Sequence, residues 1–232
     1  MQNYADVLES YLIPAEEGFG NFLKGMKDKI LKFIKWLIDK CKELGQKIAN
    51  RLRKKSHSND SNSPVSRDTK SADREDDAVT TTEEPESKRA SSEEMKKVRT
   101  LASASDCINQ GLRILRKDYM SHVLENIKTC RTNEEVATEG MERIRIGIDK
   151  LRTVDDSTCA LSKYLVDEDL NEILDLMSDV SDLVTSLLKQ LQQMVETTPE
   201  TDENKELLRV INSHLNQVSK ILSLMNEVYT VV

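Results

Sequence analysis

Glycine and proline are scarce in this chain of 232 residues, seven and four respectively, and aromatic residues make up only 4% of it. Together with 32% charged residues, that shortage points to a chain that is mostly helix. No segment alternates apolar and polar residues between turn formers, as a half-buried strand would. No run reaches the ~20 consecutive apolar residues of a membrane-spanning helix. The first 17 residues contain no Lys or Arg, so they lack the positive start of a secretory signal. The expectation is a protein made in a cytoplasm and not exported by the usual route.

The usual parts of an active site are missing as well. Cys41, Cys107, Cys130 and Cys159 stand singly, without the C-x-x-C spacing of a zinc site or the pairing of a disulfide framework, and a reducing compartment suits them. His57, His122 and His214 join no cluster of ligands, so surface or bundle-edge positions account for them better than metal binding or catalysis. Gly-rich phosphate loops, G-x-S-x-G and H-E-x-x-H are absent. The acidic runs DREDD and TTEEPE lack the spaced oxygens and central glycine of a calcium loop. A protein that is not an enzyme, with no metal and no cofactor, is expected.

What the sequence does have is an uneven distribution of charge. The whole chain carries −7, residues 1–17 carry −4, and residues 18–55 carry twelve Lys/Arg against three acids, or +9, which leaves −12 on residues 56–232. A basic arm is joined to an acidic body.

In the arm, Phe19, Phe22, Leu23, Met26, Ile30, Phe33, Ile34, Leu37, Cys41, Leu44, Ile48 and Leu52 recur at steps of three and four. At 100° per residue they form a stripe roughly 120° wide, flanked by Leu31, Trp36 and Ile38. Lys24, Lys32, Lys35 and Lys42 lie away from it. The pattern disappears from about Lys54 to Ala90, where Ser, Thr, Asp and Glu dominate, too polar to offset the entropy of ordering.

Periodicity resumes near Ser91, which with Glu94 has the form of a capping box, and Thr132 with Glu135 offers another. A further helix is expected after Asp167, with Leu170, Ile173, Leu174, Met177 and Val180 opening its stripe. A last one follows TTPETDEN, with Pro199 in its first turn. The predicted fold is all-α: a leader over 1–17, a long amphipathic helix over 18–55, a disordered linker over 56–90, and an antiparallel helical bundle over 91–232.

Three partners compete for the basic helix. The stripe can dock on the acidic bundle or on another copy of the chain. Phe33, Trp36 and Leu37 can enter an anionic membrane surface under a lysine-rich face. Lys24, Lys32, Lys35 and Lys42 can contact nucleic acid, which would leave the stripe to pack on protein.

The junction Ala15-Glu16-Glu17-Gly18 resembles the small-x-Glu site at which maturation proteases of large tailed bacteriophages cut propeptides from prohead core and internal head proteins. A short acidic leader, a Gly-Phe start, a lysine-rich amphipathic helix, a polar tether and a helical domain also resemble internal virion proteins of such phages. The resemblance implies a non-enzymatic structural protein, made in a bacterial host cytoplasm and residing in the virion interior. It implies trimming after Glu17, and capsid or core proteins and the maturation protease as partners. Membrane or packaged nucleic acid remains the further ligand of the helix. Removing the leader changes the net charge from −7 to −3, so the trimmed chain stays acidic. The alternative is a cytoplasmic peripheral-membrane or partner-binding adaptor. A second copy of the motif, Ala137-Thr138-Glu139-Gly140, falls in the expected bundle, where helix would shield it.

Overall fold

A computed structural model describes residues 25–59, 92–154 and 167–232. Among these every regular element is helical and no strand occurs. Helix α1 spans Met26–Asn59, α2 Ser92–Ile114, α3 Val123–Lys128, α4 Glu134–Val154, α5 Asp167–Thr197 and α6 Lys205–Val231. A π-turn at Leu115–Tyr119 and a 3-10 turn at Met120–His122 join α2 to α3.

Helix α1 begins just after Gly25, whose φ of 93° suits a residue without a side chain. Asp28 lies in its first turn, where a negative charge complements the helix dipole. The helix runs to Asn59, four residues past the expected end at 55, since nothing in KSHSN breaks it. Phe19, Phe22, Leu23 and Lys24 lie outside the described residues, as do residues 60–90 of the expected linker and Ser91.

Helix α4 starts at Glu134. The carbonyl of Asn133, one residue beyond Thr132, receives the first amide, that of Ala137. Pro199 does not open the last helix as expected. Its carbonyl instead accepts from the Thr201 N–H and from Asn204 Nδ2, building a turn that leads through a 3-10 segment into α6.

Contacts close the long helices into a ring in the order α1, α5, α2, α4, α6, with α5 and α6 also touching. Sequence neighbours run antiparallel: Ser103 and Gln110 of α2 meet Lys150 and Arg143 of α4. Pairs far apart in sequence run either way: α2 and α5 are parallel, with Asn109 beside Glu172 and Arg116 of the π-turn beside Asp179, whereas α1 and α5 are antiparallel, with Lys27 at Thr198 and Cys41 at Ser181. One apolar cluster fills the centre, and α1 contributes nine buried residues to it, from Met26 to Ile48. The expected separation into an arm and a bundle is therefore corrected: the stripe of α1 is part of the core.

The closest approach is between α2 and α4. A Cβ on Gly111 would lie 2.5 Å from the Gly140 carbonyl oxygen, and one on Gly147 would lie 2.8 Å from that of Ala104. Only glycine lets the two backbones sit this near. Gly140, the last residue of the second small-x-Glu motif, is a buried packing residue of a helix.

Candidate functional site

Burial divides α1 into two faces with different chemistry. Ile30, Phe33, Ile34, Leu37, Cys41, Leu44 and Ile48 face α5 and α6 and are buried. Phe33 at 1% exposed and Leu37 at 0% cannot meet a ligand while α1 is docked, which corrects their assignment as surface-binding residues. The periodic spacing that marked them out is equally the signature of a core face. Trp36 sits at the edge of that face, half-buried, its ring stacked on Phe33 at 5.9 Å.

Several cations of α1 are held within the molecule. Lys27 Nζ donates to the carbonyls of Glu196 (2.7 Å) and Thr198 (3.0 Å) at the end of α5, while Glu200 accepts from the Lys27 N–H at 3.0 Å. Each helix end thereby supplies a charge that caps the other. Glu43 pairs with Lys40 at 3.0 Å and Lys47 at 2.9 Å, and these two cations lower its carboxyl pKa. Arg51 donates to the carbonyls of Tyr229 and Val232 and lies over the Tyr229 ring.

The remaining lysines point outward. Lys29, Lys32 and Lys35 are exposed and have no ion pair among the described residues. They repeat every three residues over about 9 Å of helix axis. Lys42, also exposed, sits 3.7 Å from Asp39. Of the sequence-predicted site residues, Lys32, Lys35 and Lys42 thus share the solvent side of α1 and Trp36 borders it. Lys24 and the cleavage residues Ala15, Glu16, Glu17 and Gly18 lie outside the described residues.

A buried polar site was not expected. His214 is 1% exposed, with Tyr119 Oη 3.1 Å from its Nδ1 and the Arg131 carbonyl 3.1 Å from its Nε2. Its expected place on a surface or bundle edge is corrected. A sequence signal existed: position 214 lies three residues after Ile211 and four before Val218, on the apolar stripe of the last helix. His122, by contrast, is exposed.

Among the described residues no group of three or more His, Cys, Asp or Glu side chains is placed to hold a metal, and no helix is long and apolar enough to cross a membrane. The groove between α2 and α5 is shallow and lined by charges that pair with one another, Arg113 with Glu172 and Arg116 with Asp179. The chain matches no protein-family model, no curated protein and no solved structure.

Proposed function

We propose that this chain is a non-enzymatic structural protein of a phage head, a prohead core or internal head component trimmed after Glu17, whose lysine face on α1 contacts packaged nucleic acid. The observation that carries the reading is the division of α1. Its stripe is buried against protein, and Lys29, Lys32, Lys35 and Lys42 are left on the solvent side. Of the expected ligands, nucleic acid is the one that uses charge and needs no free apolar stripe. Membrane insertion would require α1 to undock. Eight large buried side chains of α1, at about 1.5–3 kcal/mol each, would first have to leave the core, and a bilayer interface would return only part of that. The Ala-x-Glu-Gly junction supports location inside a particle.

The experiment takes the protein from mature particles and reads both its start and its affinity for duplex DNA against salt concentration. Chains beginning at Gly18, blocked by Glu17→Gln, are expected. Joint replacement of Lys29, Lys32 and Lys35 by Gln should lower the salt slope by roughly 2–3. Particles containing only Met1-initiated chains would remove the maturation reading. An unchanged slope would remove the nucleic-acid contact.

A further inference from the structure

Between α2 and α4 the chain departs from regular helix at three places in succession. Helix α2 widens into the π-turn Leu115–Tyr119, tightens into the 3-10 turn Met120–His122 and, after the short α3, reverses at Cys130, whose φ of 52° is left-handed. The reversal is a Schellman turn: the Arg131 N–H donates to Asn126 O at 2.8 Å and the Cys130 N–H to Ile127 O at 3.0 Å. Irregular turns inside helices often mark places where a fold moves.

One imidazole holds both ends of this stretch to α6. A carbonyl only accepts, so His214 Nε2 carries the proton given to Arg131 O, and Nδ1 of the neutral ring accepts from the Tyr119 hydroxyl. That pairing is complete for a single protonation state. A proton on Nδ1 would make the ring a donor at both nitrogens, and the Tyr119 oxygen would have to turn and accept. The Tyr119 hydroxyl, on a side chain 0% exposed and with no other hydrogen bond among the described residues, would lose its acceptor, and a cation would be left in a site closed to water.

We infer that His214 is an acid-sensitive latch whose protonation releases the α3 turn, residues 123–133, from α6 while the α1–α5 side of the bundle stays closed. Glu134, at the start of α4, is the titratable group whose charge acts on His214, and its carboxylate accepts from Ser213 Oγ at 2.7 Å. Arg131 presents its carbonyl, and burial holds the Tyr119 phenol neutral. Burial lowers the His214 pKa, with the Arg131 carbonyl and Glu134 opposing in part. The folded value therefore lies below the unfolded one. The stability supplied by the latch is complete above about pH 6.5 and is lost as pH falls from there through the folded pKa.

The test is amide hydrogen exchange on the full chain from pH 7.5 to 4.5, corrected for intrinsic rates, with the His214 ring titration followed by NMR. Protection at Cys130 and Arg131 should fall by up to about tenfold per pH unit from about pH 6.5 down to the His214 titration and level off below it, while Ser181 and its neighbours on α5 stay protected. In His214→Gln, which cannot take up the proton, the fall should vanish. Three results would overturn the latch: equal loss in that variant, parallel loss on α5, or a wild-type loss that does not track the His214 titration. The last needs no variant to fold.

Discussion

Cys130 holds a conformation that an L-residue enters at a cost of roughly 1–2 kcal/mol, with φ at 52° in the closing position of the Schellman turn. Glycine is the usual occupant because it has no Cβ to collide with the carbonyl. Its greater freedom in the unfolded chain subtracts part of the gain. Cys130→Gly should therefore stabilise the protein by about 0.5–1 kcal/mol, seen as a higher urea midpoint at unchanged slope. The thiol itself is exposed and lies on a turn, so its loss should leave no hole. The Thr132–Glu135 capping pattern announces a helix start just beyond Cys130, but nothing marks Cys130 itself as the left-handed residue, a place that glycine or asparagine usually takes. Phe33 and Leu37 mark a similar limit. Their spacing identified an apolar face correctly, but spacing does not state whether lipid or protein covers it, and in the structure protein does.

Helices were the most legible elements, since a stripe at steps of three and four recurs wherever one side of a helix is covered. The start of α5 was legible to within a residue: a helix was expected after Asp167, and the helix includes it. The interruption at Leu115–Tyr119 was not, because the π-turn shifts the register by one residue inside an otherwise continuous apolar pattern. Nor did the sequence reveal the glycine contact between α2 and α4. Glycine lowers helix propensity at Gly111, Gly140 and Gly147, and their role appears only when the two backbones meet. Gly111→Ala separates the two readings. On an isolated helix Ala would be favoured by about 1 kcal/mol. At this crossing its Cβ would lie 2.5 Å from a carbonyl oxygen and 2.6 Å from Ile144 Cγ1, and neither helix can give way without disturbing the core. Overpacking of that kind costs typically 1–3 kcal/mol and outweighs the propensity gain. A net loss of up to about 2 kcal/mol in chemical denaturation is expected, and a stabilised variant would show that the helices are further apart than described.

At the scale of the molecule, the fold class followed from composition, whereas the place of α1 did not. An amphipathic stripe followed by a polar segment reads naturally as an arm on a tether, and only long-range contacts reveal that α5 and α6 supply its other half. The consequence can be tested by placing a specific protease site within residues 60–91 and cutting it. If α1 were an independent arm, residues 92–232 would remain folded alone and the N-terminal piece would diffuse away. With the stripe in the core, removal of α1 would uncover apolar faces of both α5 and α6. Gross burial of about 12–24 kcal/mol by eight large side chains is of the size of, or larger than, the roughly 4–15 kcal/mol that association costs once the link is lost. The capping pair Lys27 and Glu200 and the contacts of Arg51 with the last carbonyls fix the register at both ends. The cut protein should therefore elute as one complex of two chains at micromolar concentration and come apart at a lower urea concentration than the intact chain, because cutting removes the millimolar effective concentration that a connection provides. Once separated, the fragment from 92 onward should aggregate or lose cooperative unfolding. A monomeric, cooperatively folded fragment of residues 92–232 would show that α1 is not needed to complete the core.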